Sequence, residues 1–394
     1  MTKLMPLKIR LLDYTGERIT PDKETMARME RLAGQGQVGL TDDRPDVFWF
    51  LSGGSERYAR DLTDPKGHYL LIGSKHGNSY ASATEVKAWM NASGISSLLL
   101  GEEEPESGQV ISLFGQAREG LDRIRGQRLG VIGRVSDWLI ASDVAADRLL
   151  ERFGLERIDL NDIDWTAYPG CEPSPDFLNY YADYKDHGLI ETARVSELLS
   201  TLIRDHDLNA ITVECFPLVR DHRVTACLPL ARFNDLGLPA GCEGDLTALV
   251  GMMLGKELTG TVPWIANLNR VSETGCLLSH CTIAPGLVDN LAVRTHYETG
   301  EGTAIQGRFR SDRVTIFRLD NHLRKAFIAS GTVTDRPREE SACRTQIEVK
   351  LAPEDVRLLR EQPLGNHHLV FPFDCVRLLE VGCWLVDIER VVNS

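Results

Sequence analysis

The stretch Gly241-Cys-Glu-Gly-Asp245 sets two carboxylates, Glu243 and Asp245, between the end of a short apolar strand and an apolar helix expected over residues 246–258. Such strand-to-helix junctions are where open α/β sheets gather ligands. Two further polar clusters lie closer to the C-terminus, Ser279-His280-Cys281-Thr282 and Gly365-Asn366-His367-His368. Carboxylates and imidazoles in otherwise apolar surroundings suit a divalent cation and proton transfer. Metal-assisted catalysis is the chemistry this pattern predicts.

Each of these residues also has a plainer role open to it. Carboxylates just before or within a first helical turn cap free amides and favour the helix dipole. Against that stands the strand they follow, with Cys242 adding low-polarity surroundings in which an unpaired charge is costly. His280 could be a satisfied core histidine, but Ser279, Cys281 and Thr282 make a polar step directly after Leu277 and Leu278. His367 and His368 open a strand, where neighbouring side chains point to opposite faces, so only one of them enters a given site. His368 is favoured, because Val370 continues its face. Glu214, in Thr212-Val-Glu-Cys-Phe216, reads equally as a carboxylate reaching the same cleft and as a solvated strand end.

The elements that must carry these residues fall into three stretches. Over residues 1–125, strand-like runs at 8–12, 47–51 and 68–73 alternate with helical ones such as 81–91, an order that favours a parallel sheet. From 126 to 268, strands are expected at 126–133, 210–216 and 238–242, with a helix opening at Ser136-Asp137-Trp138. From 269 to 394 the texture turns to short alternating segments at 314–319, 326–333, 346–351 and 368–373, as in a small antiparallel sandwich or barrel. The expected fold is therefore two α/β units followed by a β-rich C-terminal domain. The glycines at 53–54 and at 126, 130 and 133 fit neither a dinucleotide fingerprint nor a phosphate loop and serve strand-to-helix turns better.

Composition narrows the partners. The 394 residues carry a formal net charge of −13, which disfavours nucleic acid or an anionic membrane surface. Nine scattered cysteines without CxxC spacing support neither a disulfide framework nor a zinc finger, and point to a reducing, cytoplasmic compartment. The N-terminal residues lead straight into a strand-like run without the pattern of a signal peptide, and no 18-residue apolar stretch follows.

Six stretches, in order, resemble the L-fucose and L-arabinose isomerase superfamily, and within it the fucose-isomerase-like branch. They are Gly130 to Ser142, Pro239 to Ala248, Trp264 to Asn267, Leu278 to Thr282, His296 to Gly300 and Gly365 to His368. The resemblance implies two Rossmann-like α/β domains followed by a β-rich C-terminal domain, and interconversion of an aldose and a ketose through an enediol, in a trimeric or hexameric homo-oligomer acting on a sugar or a charged sugar derivative. It implies Mn²⁺ as cofactor, bound by two acidic residues and a histidine.

Carried over by position, Glu243 matches the first acidic ligand and His368, or its neighbour His367, the histidine. The second acidic ligand falls at Asn267, whose amide offers a carbonyl oxygen but cannot shuttle a proton. His280 falls near a further ligand position. The implied metal set is then Glu243, Asn267, His280 and His368, which keeps Co²⁺ and Zn²⁺ open beside Mn²⁺. Glu243, Asp245 or Glu214 would take the proton-transfer role. His76, Asn78, Trp138, His296 and Asn366 are implied as substrate contacts. A lyase or epimerase using the same intermediate, or a sugar-binding protein that has lost catalysis, remains the alternative.

Overall fold

The computed structural model describes residues 5–184 and 188–392; residues 1–4, read above for a leader, lie outside that range. Two compact units divide at Glu119 and Gly120. The first runs β1 (Leu7–Leu12), α1 (Lys23–Ala33), β2 (Val38–Leu40), β3 (Val47–Phe50), α2 (Glu56–Asp61), β4 (His68–Gly73), α3 (Ser79–Ala92), β5 (Ser96–Gly101) and the start of α4 (Ser107–Ile124). Its strands pair in the order β2-β1-β3-β4-β5, and every pairing is parallel. All four side chains of β3 are buried, as a parallel strand covered on both faces requires.

The second unit opens with β6 (Arg128–Ile132), α5 (Ala146–Phe153), β7 (Glu156–Leu160), α6 (Pro175–Tyr180), α7 (Leu189–Asp205), β8 (Ala210–Val213), α8 (Cys215–His222), α9 (Cys227–Asp235), β9 (Ala240–Cys242) and α10 (Leu246–Thr259). Here too the sheet is parallel, in the order β7-β6-β8-β9. Two local expectations are corrected. Ser136 to Trp138 form a turn, with the Leu139 amide donating to the Ser136 carbonyl, and the helix waits until Ala146. The strand at 210 ends three residues early, because Glu214 becomes the N-cap of α8.

The chain continues as β10 (Trp264–Val271), β11 (Gly275–His280), β12 (Val288–Arg294), β13 (Ala304–Phe309), β14 (Arg313–Leu319), β15 (Lys325–Asp335), β16 (Thr345–Lys350), α11 (Pro353–Glu361), β17 (His367–Phe371), α12 (Val376–Trp384) and β18 (Glu389–Arg390). Strands β14, β17, β10, β11, β16 and β15 pair antiparallel in that order, and β15 returns to β14, closing a six-stranded barrel. The change of texture expected after 268 comes at Trp264, so Asn267 is a barrel residue.

Helix α10 touches β8 and β9 on the sheet and β14 and β17 on the barrel, and it is buried on nearly all sides. That close seating needs a small residue. A Cβ at Gly251 would lie 2.6 Å from the Leu369 side chain. The N-terminus of α10 thus meets the start of β17, where the two halves of this unit join.

Candidate metal centre

Backbone geometry decides first where the carboxylates go. After β9 the chain turns through two consecutive left-handed residues, Glu243 (φ 59°) and Gly244 (φ 73°). A Cβ at Gly244 would come 2.2 Å from the Arg134 carbonyl oxygen, so only glycine fits there. The left-handed conformation at Glu243 costs about 1–2 kcal/mol, a strain that marks the position for a functional reading.

Asp245 then caps α10, its Oδ1 accepting from the Ala248 amide at 2.7 Å and from Thr247 Oγ1 at 2.7 Å. Its Oδ2 accepts from Ser142 Oγ at 3.0 Å, Arg318 Nη1 at 2.9 Å and His367 Nδ1 at 3.0 Å. Both Asp245 and Arg318 are fully buried. Burial alone would raise this carboxyl; Arg318 and His367 overcome it and hold it far below the usual range. With five partners Asp245 is a positioning residue, which removes it from the proton carriers expected above.

Glu243 is placed differently. Trp138 Nε1 donates to its Oε2 at 2.6 Å, and Oε1 stands 3.7 Å from His367 Nε2. Burial raises its carboxyl, but His367, His280 and Trp138 together bring it down to about 2. His367 is buried too; its hydrogen bond to Asp245 and the charges of Glu243 and Asp245 outweigh that and lift it to about 9.

His280 Nδ1 pairs with Thr282 Oγ1 at 2.9 Å, and its ring centroid lies 5.3 Å from that of His367. Burial and the neighbouring His367 charge push it down to about 3. The buried Nε2 atoms of His280 and His367 have no hydrogen-bond partner. A ring nitrogen of His280, a Glu243 carboxylate oxygen and Cys242 Sγ lie within 4.8 Å of one another. Imidazoles whose Nδ1 is tied down and whose Nε2 is left bare are arranged as metal ligands usually are. The residues present therefore fit a divalent cation, with Glu243, His280 and His367 to hold it.

Beside Glu243 a groove of about 450 Å³ is walled by Trp138, Phe216 and Val219 and edged by Arg220, Arg223, Thr299 and Glu301. Trp138 stands edge-on to Phe216 at 4.8 Å. His296, also implied as a substrate contact, packs on Phe216 at 5.9 Å, with Nδ1 on Thr299 Oγ1 at 3.1 Å. Glu298, whose Oε2 is 3.9 Å from His296 Nε2, is raised by partial burial and by the Glu243 charge.

The remaining expected residues go elsewhere. His368 is corrected: it and Val370 do share a face, but that face is the barrel interior, where the ring meets Phe327 at 5.8 Å, so His367 takes the site. Asn267 Oδ1 is occupied by Asn366 Nδ2 at 2.6 Å, and its own Nδ2 faces Cys343 Sγ at 3.9 Å. As a ligand it is therefore pre-empted, and Asn366 is spent on holding it and the Leu268 amide. Glu214 Oε2 accepts from the Arg134 amide at 2.8 Å, closing the crevice between β6 and β8 rather than reaching the carboxylates. His76 and Asn78 sit in the first unit, in an exposed turn after β4 where Asn78 adopts the left-handed conformation (φ 58°).

Ser142, Arg318 and Glu298 were not singled out from sequence. For Arg318 no local signal existed, since one arginine in an alternating strand reads as solvated; Glu298 and Ser142 lay inside stretches already quoted. Comparison with known proteins found no matching family model and no curated relative.

Proposed function

We propose that this chain is a metal-dependent, aldose-ketose isomerase-like enzyme acting on a sugar or charged sugar derivative through an enediol. The observation that carries the reading is the Glu243 carboxylate standing 3.7 Å from His367 Nε2 and within 4.8 Å of a His280 ring nitrogen, with the Nε2 atoms of both rings buried and without a hydrogen-bond partner. A divalent cation held there would stabilise negative charge on two adjacent substrate oxygens.

The chain's own groups supply the rest. Asp245 fixes His367 through Nδ1 and is itself fixed by Arg318, so the imidazole cannot rotate away from Glu243. Trp138 holds one oxygen of Glu243 and offers an apolar face to a sugar ring. At the groove edge Arg220 is forked onto Asp221 and Arg223 faces Glu301 at 4.0 Å, a mixed-charge rim suited to sugar hydroxyls. Glu298, its carboxyl raised by partial burial and lying beside His296, would move a proton between substrate carbons, and His296 between oxygens. A homo-oligomer, trimer or hexamer, belongs to the same reading and is checked by light scattering.

One observation favours a second reading. With Asp245 saturated and Asn267 held by Asn366, the centre has fewer free carboxylates than proton shuttling commonly uses, as a sugar-binding protein without catalysis would. Proton exchange in deuterated water separates the two. Stripped protein reloaded with Mn²⁺, Co²⁺ or Zn²⁺ is screened over aldoses and ketoses by NMR, expecting cation-dependent loss of the C2 hydrogen signal and none with Glu243→Gln. Tight sugar binding with no exchange under any cation refutes the isomerase reading. A lyase or epimerase using the same enediol shows itself by its product.

A further inference from the structure

The donor atoms around Glu243 differ in chemical character. Two are imidazole nitrogens, one is a carboxylate oxygen, and the fourth group within reach is the Cys242 thiol, with its sulfur inside the same 4.8 Å cluster as Glu243 and His280. Cys242 ends β9 one residue before Glu243, so the strand that delivers the carboxylate delivers the sulfur with it. Its sulfur meets another thiol, Cys215 Sγ, at 3.5 Å, and the residue is 3% exposed.

A buried divalent cation facing one carboxylate and two neutral imidazoles would leave a net positive charge away from water, which is costly. A thiolate brings that net charge to zero. Four donors around a tetrahedral cation at about 2.0–2.3 Å stand roughly 3.3–3.8 Å apart. Cys242, Glu243 and His280, within 4.8 Å of one another, need to close by about an ångström, and His367 stands 3.7 Å from Glu243 on its own side.

We propose that Cys242 is a metal ligand, completing with Glu243, His280 and His367 a sulfur-nitrogen-oxygen site that selects Zn²⁺ or Co²⁺ over Mn²⁺ and Mg²⁺. The inference rests on the metal-dependent reading above and narrows its cation; with four protein donors, substrate would be taken up by expansion of the coordination beyond four. Sulfur and imidazole donors favour zinc and cobalt, whereas magnesium and manganese favour all-oxygen sites. On binding, the sulfur forms its bond to the cation as the S–H bond breaks, and the proton passes to the buffer. Any proton on an imidazole Nε2 leaves the same way.

The test uses the full-length protein, stripped with a chelator and titrated with Co²⁺ alone. A sulfur-to-cobalt charge-transfer absorption is expected in the near ultraviolet, lost in Cys242→Ser while the visible cobalt bands remain. In the same variant the preference for Zn²⁺ over Mn²⁺ should fall by more than about a hundredfold, beyond the range for groups that merely orient ligands. X-ray absorption of the zinc-loaded wild type needs no variant and should give a sulfur shell at about 2.3 Å. Cobalt bands without sulfur charge transfer, or a zinc shell of nitrogen and oxygen only, overturns the inference. If proton exchange then still proceeds with Mn²⁺, the isomerase reading stands without it. A sulfur-bound cation with no exchange on any sugar supports Cys242 as ligand and sinks the isomerase reading instead. Failure to retain any cation overturns both.

Discussion

Asp245→Asn tests whether the centre is held by a buried ion pair or merely decorated by one. The carboxylate and the Arg318 guanidinium are both at zero exposure and 2.9 Å apart, and Arg318 also donates to the His367 carbonyl and Ser142 Oγ. The amide keeps the shape but leaves Arg318 buried without its counter-charge. Removing one partner of such a pair costs about 3–5 kcal/mol, a large share of the roughly 5–15 kcal/mol that keeps a domain folded. Urea unfolding followed by circular dichroism, with unchanged slope, reads the loss directly. A cycle with Arg318→Met should show strong coupling, the double variant being less destabilised than the two single losses added. Asp245 is held below its ordinary range, so its contribution is present above the unfolded carboxyl value and disappears only as pH falls through the depressed folded one. Asp245's own contribution should therefore be the same at pH 5 and pH 7, and the penalty somewhat larger at pH 5, where the His367 stabilisation that Asp245 helps to set is complete. A loss under about 1 kcal/mol, or simple additivity with Arg318→Met, refutes the reasoning.

His367→Gln should lower cation affinity by more than about a hundredfold, whereas His368→Gln should leave it unchanged and cost about 1–3 kcal/mol of stability through its lost bond to the Asn366 carbonyl; equilibrium dialysis and urea melts separate them, and equal affinities would count against the placement of the two rings. In cation-free protein the imidazolium of His367 should titrate near 9 by NMR, and the stability it adds, complete below its ordinary value of 6.5, should fade as pH rises through 9; a ring neutral at pH 7 contradicts the arrangement. Glu298→Gln should slow proton exchange by about 10²–10⁴-fold while cation binding is retained, and an unchanged rate removes Glu298 from the mechanism.

Much of this was legible in the chain itself because it is local. The run Val47 to Phe50 can only be a strand buried on both faces, β4 falls where its apolar run lies, and Asp245 before an apolar stretch is a helix cap whatever else it does. Alternation over residues 346–351 announced antiparallel pairing. Sequence also brought Glu243, His280 and the 367–368 pair under suspicion. Which histidine enters the centre was beyond it, since alternation says that His367 and His368 face opposite ways but not which way the barrel's interior lies. The fate of Asn267 depended on Asn366, 99 residues away. Likewise Arg318 meets Asp245 across 73 residues, and only closure of the barrel against α10 brings them together. Periodicity reports which residues share a face; what that face is pressed against is settled by packing of distant segments, and here that packing decided which of the candidate residues meet.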